Sequence, residues 1–486
     1  MRALKRRAKD EKPLYEEVAL NLSRMVDEGA FRPGERVPSI RAMSQRLSVS
    51  INTVKTAYGI LEDRRVLEAR PQSGYYVCAR LPAEAREPEA KRPVINPRAV
   101  EVGEMVATIM RDVNDPDRVQ FGAAIPETSL LPSEKLRRIL SSEMRRVKDH
   151  GTGYTMGKGA NKLRVQVAQH MLRAGVSLSP DDLYVTAGAT EAVSLAMRVL
   201  VRPGETVVTG APVYFNFLQM FRELRIKVLE IPSSPTEGIH LDALEGALSR
   251  SRVSACLQVT NFNNPLGVSL SEEKKEALVE ILARYQVPLV EDDINGDIAF
   301  DGNRPGVCKA YDKRGMVILC SSFSKTLAPG YRVGWMSPGR FGERVEHLKM
   351  VSSLATATPT QHAIAEFLAN GGYDSHLRRL RRHCAQRVAA MGERVGQVFP
   401  KGTRVTRPKG GFTLWVEMPE AVDSMILYGL LEPKGITVAP GALFSTCGSF
   451  RNYLRLNAAA FTPENAWALD VAGETACLLA ETNQGV

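Results

Sequence analysis

The chain has 486 residues and a formal charge of +10, from 64 Lys+Arg against 54 Asp+Glu. At 44% hydrophobic and 24% charged it has the make-up of a globular protein of about two to four domains, which excludes wholesale disorder and collagen-like or mucin-like classes. Nowhere do about 18 apolar residues run together, so no membrane-spanning helix is expected. The basic start MRALKRRAKD has no apolar stretch behind it, as a secretory signal would need. The seven cysteines are scattered, odd in number and without a CxxC pair. Neither a disulfide framework nor a zinc site is indicated, and a reducing cytoplasm is the expected setting.

The charge is unevenly placed. Residues 1–80 hold 16 Lys+Arg and 10 Asp+Glu, a net of +6, while the remaining 406 hold 48 and 44, a net of +4. Charge by itself fits a solvated basic surface as well as a polyanion-binding module.

Taken in chain order, residues 13–64 read as three helices. Leu14, Val18, Leu22, Met25 and Val26 recur at helical spacing, Glu28-Gly29 stops the pattern, and Arg32-Pro33-Gly34 makes a turn. Ser39 can cap a short helix from Ile40 to about Leu47. Ser50 can cap a third, running to about Arg65, with Val54, Ala57, Tyr58 and Leu61 on one face. Residues 66–70 and 75–77 then form two short strands around Pro71-Gln72-Ser73-Gly74, a β-hairpin. Three helices and a hairpin describe a winged helix-turn-helix. Its second motif helix enters the major groove by its N-terminus. That places Ser50, Asn52, Thr53 and Lys55 at base edges or phosphates, with Ser39 and Arg41 on the preceding helix and Arg70 on the wing.

Residues 81–118, with Pro82, Pro88, Pro93 and Pro97 among charged residues, are expected to be a semi-extended linker. From 119 onward, apolar runs (183–186, 206–209, 255–260, 288–290, 316–320) alternate with helical stretches such as 241–248 and 271–285, the latter capped by Ser271. Such alternation predicts a largely parallel sheet covered on both faces, followed by a smaller α+β lobe.

Chemistry concentrates in Ser321-Ser322-Phe323-Ser324-Lys325-Thr326-Leu327 and the following Tyr331-Arg332. An amine nucleophile condenses with aldehydes, and a phosphorylated aldehyde cofactor also needs hydroxyls and a guanidinium for its phosphate. Ser322, Ser324 and Arg332 supply these close to Lys325. Upstream, Gly188-Ala189-Thr190 opens a helix after a strand, where backbone amides face an anion. The stretch 151–159 contains Gly157-Lys158 but lacks the glycine and Ser/Thr spacing of a nucleotide P-loop. Asp292 follows an apolar strand, where a carboxylate can hold a pyridine nitrogen protonated. Asn264 could donate to a phenolic oxygen, Tyr214 could stack on a ring, and Tyr154 could reach a phosphate.

The segment PGERVPSIRAMSQRLSVSINTVKTAYGILEDRRVLEARPQSGYYV closely resembles the N-terminal domain of GntR-type bacterial repressors, departing at Ile51, where many relatives carry Arg. In chain order the motifs of residues 119–470 resemble fold-type I aminotransferases, α/β pyridoxal 5'-phosphate-dependent transferases with a large domain and a small C-terminal α+β lobe. That resemblance implies Lys325 as the residue that takes the cofactor's aldehyde and Asp292 as the pyridinium partner. It implies Asn264 at the phenolic oxygen, Tyr214 stacked on the ring, and Gly188, Ala189, Thr190, Ser322, Ser324 and Arg332 around the phosphate. It also implies Tyr154 from the neighbouring subunit of a homodimer, and Arg455, in Tyr453-Leu454-Arg455-Leu456-Asn457, on a substrate carboxylate. Relatives place a tyrosine two or three residues after the aspartate; here stand Ile294 and Asn295. The two halves in this order, residues 1–80 and 119–486 about a linker at 81–118, are similar to the MocR family of bacterial regulators. The function implied is a regulator that binds operator DNA and senses an amine, an amino acid or the cofactor itself. The alternatives are a working aminotransferase with an accessory DNA-binding domain, and a DNA-binding protein whose large domain is only a dimerisation scaffold.

Overall fold

The computed structural model describes residues 13–483 apart from 28–29, 32–33, 64–65, 71–72, 79–86, 89–95, 100–114, 116 and 148–150. The expected helix stop at Glu28-Gly29, Arg32 and Pro33 of the expected turn, the expected helix end at Arg65, and Pro71 and Gln72 of the expected hairpin turn lie outside the described residues. So does the expected linker, except for 87–88, 96–99, 115 and 117–118. The chain divides into two compact units, Met1–Pro82 and Ala83–Val486.

The first unit holds α1 (Leu14–Asp27), α2 (Ile40–Leu47), α3 (Ile51–Asp63) and the hairpin β1 (Leu67–Arg70) and β2 (Gly74–Val77). Apolar residues three or four apart turn one face of each helix inward. Val18, Leu22, Met43, Val54, Tyr58, Leu61, Leu67 and Val77 meet in one core, and each fully buried aliphatic side chain contributes about 1.5–3 kcal/mol. Ser39 accepts from Ala42 N (3.2 Å) and Ser50 from Thr53 N (3.0 Å), so both expected caps start their helices. Between them Ser48 adopts a left-handed conformation (φ 52°) that closes α2. The Tyr58 hydroxyl donates to Pro38 O (2.6 Å) and its ring meets Tyr75 edge-on. The hairpin pairs Leu67 with Val77 and Arg70 with Gly74. Residues 34–37 add to it as a third short edge, through Val37 N to Tyr75 O and Val77 N to Glu35 O, both 2.9 Å.

The second unit is built on an eight-stranded sheet. Its strands are β4 (Tyr184–Thr186), β5 (Thr206–Ala211), β6 (Lys227–Ser234), β7 (Gly238–Ile239), β8 (Ala255–Gln258), β9 (Leu289–Asp292), β10 (Val317–Ser322) and β11 (Gly334–Ser337), in spatial order 4-11-10-9-8-5-6-7. The pairs β10/β9, β9/β8, β8/β5 and β5/β6 are parallel, while β11 and β7 run antiparallel to their neighbours. Successive strand residues feed opposite cores. Val207, Leu257, Val290 and Ile318 join one cluster; Val208, Cys256, Leu289 and Val317 join another. That is why these strands read as unbroken apolar runs.

Helices α4 (Ser133–Val147), α5 (Asn161–Met171), α6 (Ala189–Leu200), α7 (Phe215–Glu223), α8 (Leu241–Arg250), α9 (Glu272–Arg284), α10 (Gly342–Ser352) and α11 (Thr358–Ala369) flank or border the sheet. The expected cap Ser271 accepts from Lys274 N (3.2 Å) at the head of α9. The 27-residue α12 (Gly372–Val398) leads into a small lobe. That lobe contains β12 (Arg404–Val405), β13 (Thr413–Glu417), α13 (Ser424–Leu431), β14 (Ile436–Thr437), β15 (Ala439–Pro440), β16 (Tyr453–Asn457) and α14 (Ala466–Asn483). Strands β12, β13, β16 and β15 form an antiparallel sheet, with Trp415 stacked on Tyr453 at 5.3 Å. A short strand from just after the expected linker, β3 (Val119–Gln120), pairs parallel with β14.

Candidate functional site

In the first unit, α3 turns Val54, Ala57, Tyr58 and Leu61 into the core and leaves Asn52 and Lys55 exposed at its N-terminal end. Arg41 is exposed on α2. Of the expected DNA-contacting side chains, these three face solvent with neither a capping duty nor an ion pair among the described residues. Ser39 and Ser50 act as caps, and the Thr53 hydroxyl lies 2.8 Å from that of Ser50. Arg70 is drawn onto Glu68 (Nε to Oε1, 2.6 Å) and over the Tyr76 ring at 4.2 Å, so the wing holds its cation flat against the hairpin. Ile51, the departure from the repressor pattern, is 52% exposed.

In the second unit parallel strands end at one edge, and Tyr214, Asn264, Asp292 and Lys325 lie at or beyond such ends. The turn after β10 carries Lys325, the register Cys320 to Asp292 brings the end of β9 beside it, and Asn264 and Tyr214 follow β8 and β5. Ligands bind at this edge of open α/β sheets.

The run Glu291-Asp292-Asp293 shows how strand alternation separates roles. Glu291 turns away to accept from Thr260 Oγ1 (2.6 Å), Cys308 N (2.7 Å) and Lys309 N (3.0 Å). Asp293 is paired with Arg304 and accepts from Asn261 Nδ2 (2.8 Å). Asp292 accepts from Ile294 N (3.1 Å), and burial together with the nearby Asp293 charge pushes it up to about 7. Lys325 Nζ donates to Ala124 O (2.6 Å). Burial and the Arg455 and Arg332 charges lower it to about 8, against the pull of Asp292.

The expected phosphate cradle is assembled from both sides. Arg332, itself in a left-handed conformation (φ 51°), donates to Ala187 O (3.0 Å) and Ser324 Oγ (3.4 Å). Ser324 N donates to the Ser322 hydroxyl (3.2 Å), and α6 begins at Ala189-Thr190. Gly188 has φ 87°, and a Cβ there would lie 2.5 Å from Arg332 Nη2, so only glycine admits this approach. In the small lobe, Arg455 is wholly buried; it donates to Gly122 O and to Asn264 Oδ1 (3.2 Å) and faces the Phe215 and Phe444 rings. Burial lowers it to about 10. Burial also raises Tyr214, whose ring packs on Phe215 and Phe217. Tyr154 is 78% exposed, and the structure does not bring it to the other expected site residues within this chain. Asn295, standing near where relatives have tyrosine, donates its amide to Phe262 O (2.9 Å).

Sequence reasoning missed the contacts that steady this edge. The Tyr373 hydroxyl bonds Thr326 Oγ1 (2.9 Å) and Asp297 (2.7 Å), and His376 Nε2 lies 2.6 Å from Thr326 O, so the first turn of α12 grips the residue after Lys325. Asp297 is buried, which pushes its carboxyl up, but His170 and Arg304 override this and hold it well below the usual range. The carbonyls of Gly122 and Ala124, on Arg455 and Lys325, were also missed. Backbone acceptors leave no mark in a residue pattern.

The site set carries three cations, of which Arg455 is buried, Lys325 half-buried and Arg332 exposed, and one buried carboxylate, Asp292. Buried charges of one sign need a partner. A phosphate would meet Arg332 and a protonated ring nitrogen would meet Asp292, while Arg455 would take the carboxylate of a second ligand. These residues therefore fit pyridoxal 5'-phosphate.

Comparison with known proteins agrees. Residues 128–469 match the aminotransferase class I and II family, whose members bind pyridoxal 5'-phosphate, and residues 14–77 match the gntR family of bacterial regulatory proteins. The HTH-type transcriptional regulators YjiR and YdcR of Escherichia coli are 36% and 35% identical, each aligned over 92% of this chain and 94% and 95% of their own. Among solved structures, Pyrococcus horikoshii kynurenine aminotransferase has a TM-score of 0.70 and 30% identity, covering 80% of this chain and 95% of its own. Among the described residues no helix is long and apolar enough to cross a membrane. With a GntR-type winged helix-turn-helix ahead of a fold-type I aminotransferase domain along one chain, the protein belongs to the MocR-type transcriptional regulators.

Proposed function

We propose that this regulator senses an amino compound through cofactor held at Lys325 and passes the result to operator DNA bound by its winged helix-turn-helix. Bound pyridoxal phosphate supplies an aldehyde carbon and a ring that withdraws electrons when its nitrogen is protonated. This chain's residues do the rest. Lys325, lowered to about 8, offers a free amine at mildly alkaline pH and a minor fraction of it at neutrality. Asp292, in a dry setting, holds a proton at the ring nitrogen. Asn264 orients the phenolic oxygen, Tyr214 covers the ring face, and Gly188, Ala189, Thr190, Ser322, Ser324 and Arg332 hold the phosphate. Arg455 takes an effector carboxylate by a charge-assisted pair. DNA contact falls to Arg41, Asn52 and Lys55, with Ser39, Ser50, Thr53 and Arg70 bordering them. The domain limits are 1–80, 81–118 and 119–486.

The observation that carries this reading is the meeting of Lys325, just past a strand end, with the charges of Asp292, Arg332 and Arg455. The test is visible-region absorbance of protein purified with added cofactor, titrated with a panel of amines and repeated on operator DNA. A band that shifts with an amine, together with a change in operator affinity, is expected. Absence of the band refutes the cofactor assignment.

A homodimer in the cytoplasm completes the proposal. Tyr154 and Met156, and Met350, Val351 and Leu354, are exposed large apolar residues. Their segments are joined by the Thr155–Thr358 hydroxyl pair (2.9 Å). Apolar exposure of this kind suits an interface, and across it Tyr154 reaches the neighbour's phosphate. The intact Lys325, Asp292 and Arg455 favour a second reading, a working aminotransferase. Against it, Asn295 is committed to Phe262 O and leaves the phenolic oxygen one donor short. Repeated catalytic turnover with many amino acids would establish that second reading.

A further inference from the structure

Residues 118–125 cross the candidate site on leaving the expected linker. The small lobe holds them firmly. Arg118 pairs with Glu432 (2.7 Å), Val119–Gln120 pair with β14, and Asn457 donates from its backbone N to Phe121 O and from Nδ2 to Ile125 O, both 2.9 Å. Between these anchors the strap's free carbonyls meet the site: Arg455 Nη2 donates to Gly122 O, and Lys325 Nζ to Ala124 O (2.6 Å). The two side chains that fasten the strap across the site are the two that the ligands claim.

We propose that the effector is an amino acid and not a simple amine, because its carboxylate displaces the Gly122 carbonyl from Arg455 and so loosens residues 118–125, the segment through which the linker leaves the body. This rests on the reading of Arg455 as the carboxylate-binding residue. Arg455 Nε is buried without a hydrogen-bond partner among the described residues, so one guanidinium edge, Nε with Nη2, suits a carboxylate. A carboxylate oxygen on Nη2 sets a full negative charge beside the Gly122 oxygen, and the two repel. The carbonyl, carrying only a partial charge, loses that competition. Gly122 cannot yield toward the small lobe: a Cβ on it would lie 3.0–3.2 Å from the backbone O, C and N of Val438. It yields away from Arg455. An amine without a carboxylate leaves the Arg455–Gly122 bond in place.

The test is hydrogen exchange over residues 117–126 of the full-length, cofactor-loaded protein, with visible absorbance and operator affinity followed in parallel. Alanine and ethylamine, its decarboxylated counterpart, are compared at concentrations saturating the absorbance change. Alanine is expected to speed exchange in this segment about tenfold, the loss of one hydrogen bond to a charged group, and to change operator affinity; ethylamine is expected to change absorbance alone. Equal effects of the two on the segment, or an absorbance response to alanine with no change in exchange, overturn the proposal. Gly122→Ala, with no amine present, is expected to give the faster exchange and altered operator affinity by itself. Wild-type behaviour of this variant overturns the strap whatever the amines do. A lack of any absorbance response to either compound instead overturns the amine-sensing reading, and the Gly122→Ala result then decides the strap separately.

Discussion

In the N-terminal unit, Arg41, Asn52 and Lys55 stand on the water side of helices whose other faces are packed, whereas in the body Lys325, Asp292 and Arg455 stand where water is largely shut out. On the proposed function the exposed residues act singly, each with its own phosphate or base contact, so that losing one leaves the fold alone. The buried groups act together. Each sets the charge state of the others, and removing one leaves the rest unbalanced.

Five measurements break or sharpen that contrast. Lys325→Ala is expected to abolish the cofactor's visible band outright while operator binding without effector stays within about threefold, since each Lys or Arg lost at the DNA surface is what governs that binding. Arg455→Met removes a buried, hydrogen-bonded charge. Amino-acid affinity in an absorbance titration is expected to fall about 100-fold, equivalent to about 3 kcal/mol. Leu61→Ala opens a cavity in the small N-terminal core and is expected to cost about 3 kcal/mol. Calorimetry should show the first unit melting earlier and the body unchanged; a shift of both transitions breaks the contrast. Lys55→Ala is expected to reduce the salt slope of operator binding by about 1 with no change in melting, because one phosphate contact releases roughly one counterion.

The smallest effect is the pH dependence of cofactor capture. Lys325 is depressed from its ordinary value to about 8, so below that pH the unreactive cation dominates and above it the free amine does. Capture rates for cofactor-free protein are therefore expected to rise about tenfold from pH 7 and level off above pH 8 to 9, as the free-amine fraction goes from roughly a tenth to near one. A flat profile across this range contradicts the burial of Lys325.

Much of this was legible because the informative residues are neighbours in sequence. Ser322, Ser324, Lys325 and Arg332 place an amine beside the hydroxyls and guanidinium of the proposed phosphate cradle within one short stretch. Ser39 and Ser50, at the heads of apolar helical repeats, mark the two helices of the DNA-reading motif. The sheet followed from strands with no polar face. What escaped depends on register and on distant contacts. That Asp292, and neither Glu291 nor Asp293, faces Lys325 follows from how β9 lies against β10. The third edge of the wing at residues 34–37, the grip of Tyr373 and His376 on Thr326, and the Gly122 and Ala124 carbonyls on Arg455 and Lys325 join parts far apart in the chain. They rely on backbone atoms that every residue type shares.

Helix α12 gives that grip a mechanical meaning. At 27 residues it is about 40 Å long. Its first turn is fastened to Thr326, and its far half packs on α14 and β12 in the small lobe. It is a lever with its short arm at the lysine. A pivot of about 5° at Thr326 carries the other end through about 3.5 Å, given that length, so an adjustment at Lys325 too small to disturb the sheet is large where the small lobe rides.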